Sequence, residues 1–153
     1  MKTINELSDF VRQTAYDIHV YHGHGHLEKV YENALAHRLR KAGLVVGQQH
    51  PIQVFDEDGT LIGDYLADLI IENRLIIELK TAKAIAPEHE AQILGYLKSA
   101  RIEHGLLINF GSYKFQLRKF VWNNRPSAFA PVRNIVGFLA AALPGVLCWA
   151  LTD

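Results

Sequence analysis

The residue types able to do chemistry gather in one stretch, from Asp64 to Lys80. Its second half, Leu75-Ile76-Ile77-Glu78-Leu79-Lys80, has the composition of a strand. Strand side chains alternate faces, so Leu75, Ile77 and Leu79 share one face and Ile76, Glu78 and Lys80 the other. A carboxylate and an ammonium therefore project together from a strand whose opposite face is wholly apolar. Glu72-Asn73-Arg74 reads as a three-residue turn, with Asn73 or Arg74 in a turn conformation. In that register Ile71 opposes Leu75, and Asp68 opposes Glu78. Directly opposed side chains stand about 4.5–5.5 Å apart at Cβ. Two carboxylates that close repel, which raises the pKa of one of them. A divalent cation between them removes the repulsion, and Mg²⁺ prefers an octahedral shell of oxygens. A two-residue loop would shift the register and separate the pair. The plainer explanation of Glu-x-Lys alternation is an edge strand whose charges block aggregation. The apolar character of this strand, the apolar run around Asp68 and the shared register argue against it.

The elements that must position these groups follow from periodicity. Residues 5–21 read as a helix, with Ile4, Leu7, Phe10 and Val11 at three- and four-residue spacing. His22-Gly23-His24-Gly25 interrupts it. A second helix carries Leu27, Val30, Tyr31, Ala34, Leu35 and Leu39 as an apolar stripe and stops near Gly43. Strands are expected over Leu44–Phe55, Leu61–Ile71 and Leu75–Lys80, the first two joined by the turn Asp56-Glu57-Asp58-Gly59. Pro87 opens a third helix reaching about Ala100. Strands His104–Phe110 and Tyr113–Val121 follow, joined at Gly111-Ser112. The order ααβββαββ predicts an α/β domain, a central mixed sheet flanked by helices.

Other side chains bear on the same chemistry. Gln92, Tyr96 and Ser99 fall on one face of the third helix, either as a polar surface or with Gln92 aimed at the carboxylates and Tyr96 bracing it. Tyr31 reads as a packing residue with a hydrogen-bonded hydroxyl. Lys114, Gln116 and Arg118 alternate with Tyr113, Phe115 and Leu117. The second set reads as core, and the first as a solvated or phosphate-contacting face. Lys83, Lys98 and Arg101 are candidates to extend that face. His22, His24 and His26 alternate with glycines; with no carboxylate or thiol cluster nearby, adventitious metal binding fits them better than a built centre.

Three motifs in order carry a resemblance. Asp68, Glu78 and Lys80 are spaced like the core motif of the PD-(D/E)XK nuclease superfamily. Gly25-His26-Leu27-Glu28-Lys29-Val30-Tyr31 resembles the Gly-x-x-Glu-x-x-Tyr signature of the GxxExxY family. His89-Glu90-Ala91-Gln92-Ile93-Leu94-Gly95-Tyr96-Leu97, followed by Gly105-Leu106-Leu107-Ile108-Asn109-Phe110-Gly111, is similar to the same family. The resemblance spans residues 5–121. It implies a restriction-endonuclease-like core and a metal-dependent phosphodiesterase. It also implies that Asp68 and Glu78 hold Mg²⁺ or Mn²⁺, with Glu28 as a further metal or water ligand. Lys80 would orient the attacking water and offset phosphate charge, and Gln92 would line the site. Tyr96, Lys83, Lys114 and Arg118 are the candidates for substrate contact. DNA is favoured over RNA by superfamily analogy alone. The alternative is a nuclease-fold binding module that cuts poorly and acts with a partner protein.

Composition bounds the rest. A chain of 153 residues, 49% apolar and 21% charged, suits one folded domain and excludes a fibrous or wholly disordered protein. Sixteen Lys+Arg balance sixteen Asp+Glu, so any nucleic-acid surface must be local. A single cysteine, Cys148, excludes an intramolecular disulfide and a Cys-rich zinc site. No secretory leader is read at the N-terminus, and a cytoplasmic location is expected. The expected boundary is Arg125-Pro126-Ser127-Ala128-Phe129-Ala130-Pro131: a nuclease-like domain over residues 1–124, then a linker and apolar tail over 125–153. The uncharged run from Asn134 to Leu151 is interrupted by Pro144-Gly145, which argues for a tail buried in a homodimer or against a protein partner rather than a membrane span.

Overall fold

The computed structural model describes residues 1–123. The boundary near Arg125–Pro131 and the apolar run after it lie outside the described residues. Two helices come first, α1 (Ile4–His22) and α2 (Glu28–Lys41), then strands β1 (Val46–Phe55), β2 (Leu61–Ile71) and β3 (Leu75–Lys80). Helix α3 (Pro87–Ala100) leads to β4 (His104–Asn109) and β5 (Gln116–Val121). The five strands form one mixed sheet in the order β1-β2-β3-β4-β5. Only the β3–β4 pair is parallel, with α3 as its crossover; the other three pairs are antiparallel. This is the expected ααβββαββ plan of a restriction-endonuclease-like core. No helix among the described residues is long and apolar enough to cross a membrane.

Local chemistry sets the element ends. Thr3 and Glu6 form a capping box at the start of α1. Pro87 opens α3, where its missing N–H costs nothing. The turn between β2 and β3 has three residues, as expected. Its left-handed residues, however, are Glu72 and Asn73, and Arg74 N–H closes onto the Ile71 carbonyl at 3.0 Å. That is the primed geometry whose twist suits a hairpin.

Two apolar layers sandwich the sheet. On one face Leu7, Val11, Ile18, Tyr31, Leu35 and Leu39 of α1 and α2 pack on Leu69, Ile71, Leu75, Ile77 and Leu79. On the other, Ile93, Tyr96 and Leu97 of α3 pack on Ile76 and Leu107. Strand β3 is thus central and covered on both sides, which its composition requires. The stripe expected on α2 is narrower than its sequence suggests. Leu27 and Val30 are exposed, because the helix meets the core only from Tyr31 onward, through Leu35, Ala36 and Leu39. Tyr113, expected in the core, is also exposed. Strand β5 begins at Gln116, so Tyr113 and Lys114 sit in the preceding loop, free of strand alternation.

One polar side chain holds the segment that leaves β3. Asn109, at the end of β4, is fully buried. Its Oδ1 accepts from the N–H of Ala82 and of Gly111, both at 3.0 Å. Its Nδ2 donates to the Ala82 carbonyl at 2.8 Å and to Gln116 Oε1 at 2.9 Å. Gly111 lies so close to the Thr81 and Ala82 backbone that an added Cβ would come within 2.3 Å of it. Asn109→Ala should therefore lower stability by about 2–4 kcal/mol in a denaturant titration, since it strands buried backbone donors. A loss below about 0.5 kcal/mol would show that water or a backbone shift replaces these bonds.

Candidate active site

The β2–β3 ladder pairs Ile71 with Leu75, Ile70 with Ile76 and Leu69 with Ile77. The next positions in that register are Asp68 and Glu78. Here the side chain replaces the ladder: Asp68 Oδ2 accepts from the Leu79 backbone N–H at 2.7 Å. Both carboxylates are buried, with Glu78 only 3% exposed. Glu78 Oε1 accepts from Lys80 Nζ at 2.8 Å, so the two neighbours on the polar face of β3 are ion-paired. Glu78 Oε2 is buried and has no hydrogen-bond partner. An unsatisfied buried carboxylate oxygen is costly; among the described residues His104 Nδ1 is the other buried side-chain atom without a partner.

Glu28 is the first residue of α2 and half-buried. Tyr31, one turn later, fixes the approach to that helix end. Its ring stacks on Phe110 with centroids 4.6 Å apart, and its hydroxyl donates to the Gly23 carbonyl at 2.6 Å. The same hydroxyl accepts from His26 N–H at 3.2 Å, which closes the Gly23–His26 loop against the helix.

The electrostatics couple these groups. Burial, then the Asp68 charge, push Glu78 up to about 7, and the Lys80 ammonium only partly opposes them. Burial also holds Glu28 and Asp68 above the usual carboxylate range, Glu28 despite the pull of Lys80 and Asp68 despite its bond from Leu79. Burial pulls Lys80 down, but its bond to Glu78 and the charges of Glu78, Glu28 and Asp68 outweigh that and raise it. The site thus gathers three carboxyl groups around one ammonium.

Gln92 on α3 donates to the Tyr96 hydroxyl at 2.7 Å. Burial first, with Glu78 adding to it, raises the Tyr96 hydroxyl above its ordinary range, so this pair lies on the carboxylate side of the sheet. The basic candidates are more scattered. Lys83 is exposed in the segment after β3, and Lys114 is exposed in the β4–β5 loop rather than on a strand. Arg118 is on β5 but ion-paired with Glu90 of α3. His22 and His26 face each other with ring centroids 5.7 Å apart, while His24 sits against Tyr113.

Two residues of the cluster were not singled out in the sequence. Glu32, one turn beyond Glu28, is 3% exposed and accepts from Lys29 Nζ at 2.6 Å. Gln49, half-buried on β1, donates to Glu32 at 2.8 Å and to Asp68 Oδ1 at 3.3 Å. A Glu four residues after a motif Glu would have hinted at the first. Nothing in the pattern marks the second.

The donor set fits a hard cation. Asp68 and Glu78 offer oxygens at one place, Glu78 Oε2 has no other partner, and Glu28 stands alongside. Among the described residues no three His, Cys, Asp or Glu side chains form a ready-made cage. Mg²⁺-type ions are held by one or two carboxylates and keep several waters, so Asp68 and Glu78 are the residues that could hold one.

Without metal, the raised Glu78 gives a stability prediction. Its folded carboxyl ionises near 7, above the unfolded value of about 4.3. The neutral form is favoured in the fold, so this stability is present at low pH and is lost as pH rises through 7. Glu78→Gln removes that loss. In chelator, the stability difference between variant and wild type should move in the variant's favour by about 1–3 kcal/mol from pH 5 to pH 8. A pH-independent difference would mean that Glu78 ionises as an ordinary carboxylate.

Comparisons with known proteins agree with this architecture. The solved structure described as "Crystal structure of SSO0001" superposes with a TM-score of 0.51 at 18% identity, covering 61% of this chain and 48% of that one. The chain therefore spans about half the length of that protein, and at this identity the likeness concerns the fold alone. A comparison with curated proteins gives no match. The family model described as PD-(D/E)XK nuclease superfamily matches residues 5–120, from the first turn of α1 into the last strand. That match takes in every element that builds the carboxylate cluster, and the chain belongs to the PD-(D/E)XK nuclease superfamily, whose nucleases generally use divalent metals.

Proposed function

We propose that this chain is a Mg²⁺- or Mn²⁺-dependent nuclease of the GxxExxY family that hydrolyses phosphodiester bonds, with DNA preferred to RNA. The observation that carries the reading is the buried, unpartnered Glu78 Oε2 beside Asp68, with Lys80 on the other oxygen of Glu78. Superfamily membership supplies the reaction class. The preference for DNA rests on analogy.

Roles follow from chemistry. Asp68 and Glu78 hold the cation, and Glu28 adds a ligand to it or to water. The cation, when bound, polarises a phosphoryl oxygen and makes water a better nucleophile. Lys80 keeps its proton, orients the attacking water and offsets charge on the phosphate. Gln92 lines the site, and Tyr96 braces it. Lys83, Lys114 and Arg118 contact phosphates, Arg118 after releasing Glu90. Residues 1–124 form the nuclease domain, and 125–153 form a linker and an apolar tail that meets a second copy or a protein partner. Balanced total charge makes nonspecific DNA affinity modest and salt-sensitive. The cytoplasm is the location that fits.

Cleavage assays on single-stranded DNA, duplex DNA and RNA test this, with Mg²⁺, Mn²⁺ or EDTA. Metal-dependent cleavage of DNA should fall at least about 100-fold in Glu78→Ala and Asp68→Ala, as expected for groups acting in the transition state. Lys114→Ala should weaken DNA binding a few-fold and flatten its salt dependence, leaving the cleavage step intact. Cleavage that survives Glu78→Ala, or none with any metal, would contradict the reading. It would leave a nuclease-fold binding module acting with a partner.

A further inference from the structure

Gln48 and Gln49 are neighbours on β1, yet both side chains donate to the same buried carboxylate, Glu32, at 2.6 and 2.8 Å. Regular strand alternation forbids this, because consecutive side chains point to opposite faces. The break is in the backbone: Gln49 has φ of 50°, in the left-handed region that non-glycine residues avoid. The register that pairs Gln48 with Leu69 and His50 with Ala67 places Gln49 opposite Asp68. Alternation is interrupted on that strand too, since Ala67 and Leu69 join opposite apolar layers. A backbone distortion at one residue thus turns one amide into the site. Unfavourable backbone conformations of this kind gather at functional sites, where neighbouring contacts hold them.

We infer that Gln49 is a positioning residue, tying the carboxylate of Asp68 to the fixed anchor Glu32. This rests on the proposed role of Asp68 as a metal ligand. The Gln49 amide nitrogen has two hydrogens, and it reaches Glu32 Oε2 and Asp68 Oδ1. Glu32 is immobilised by three donors, Lys29, Gln48 and Gln49. Asp68 is then held at both oxygens, Oδ2 by the Leu79 N–H and Oδ1 by Gln49. Such outer partners orient a ligand, and their loss typically costs about 10- to 100-fold in metal affinity. Gln49 also stands between two carboxylates that would otherwise face each other, so it screens Asp68 from Glu32 without supplying a charge.

The test is Mn²⁺ binding to the full chain by calorimetry, with melting measured in EDTA. Wild type, Gln49→Gly, Gln49→Asn and Asp68→Asn are compared. Glycine accepts the left-handed backbone and removes only the side chain; asparagine tolerates that backbone but is one methylene too short to span both carboxylates. Gln49→Gly and Gln49→Asn should each weaken Mn²⁺ binding about 10-fold or more, while both keep a cooperative melting transition in EDTA. If Asp68→Asn loses Mn²⁺ while both Gln49 variants bind within about 2-fold of wild type, the positioning role is overturned and the metal site stands. Loss of the cooperative melting transition of both Gln49 variants in EDTA would also overturn it, by showing that the side chain is needed to fold rather than to position. If wild type binds no Mn²⁺, or Asp68→Asn binds it equally well, the metal reading itself fails, and this inference with it.

Discussion

Burying the Glu78 carboxylate in the middle of a sheet works against solvation, and most of the fold is arranged around that cost. One oxygen is paired with Lys80, and the other has no partner inside the protein. Beside it Asp68 brings a second negative charge into the same dry layer. The backbone can hold two like charges together only if it is stiff. Strand β3 is stiff because it is central, hydrogen-bonded on both edges and packed on both faces. Asp68 is held against it by the Leu79 N–H, and the exit from β3 is held by Asn109. A site this preorganised, with one carboxylate oxygen left without a partner, would need little rearrangement to take a cation.

The helices serve the same constraint from outside the sheet. Helix α2 brings Glu28 and Glu32 one turn apart, and Tyr31 between them anchors the helix to Phe110. Glu28 adds to the negative field. Glu32, surrounded by donors, is used as a fixed post. On the opposite layer, α3 brings the Gln92–Tyr96 pair to the edge of the cluster, and its Glu90 takes the charge of Arg118. Two of the basic candidates, Lys83 and Lys114, lie on exposed segments rather than strands. Asp68, Glu78 and Lys80 thus sit on stiff strands, while Lys83 and Lys114 sit on loops, where side chains adapt more freely.

What the sequence disclosed follows the same division. The hairpin register was legible, because a three-residue turn and two apolar runs leave one pairing that buries both, and Asp68 and Glu78 follow from it. The facing of Glu78 and Lys80 needed only strand alternation. Glu28 was legible through the Gly25–Tyr31 motif and not through periodicity: Leu27 and Val30, beside it, are exposed where the stripe expected burial. Lys114 was misplaced because a loop extends to Phe115 before β5 begins. Gln49 was invisible. Its role depends on a left-handed backbone that no residue type announces, and on a long-range contact with α2 that pattern reading does not see. Sequence rules failed where the structure departs from regular alternation, which is also where it reaches the site.

In the proposed function Asp68 and Glu78 share one divalent cation. The most direct measurement is the anomalous difference map of a crystal grown with Mn²⁺. A single strong peak contacting both Asp68 and Glu78, through the oxygen of Glu78 that lacks a protein partner, is expected. An ordered site with no peak there, or a peak only at the His22–His26 loop, would contradict it.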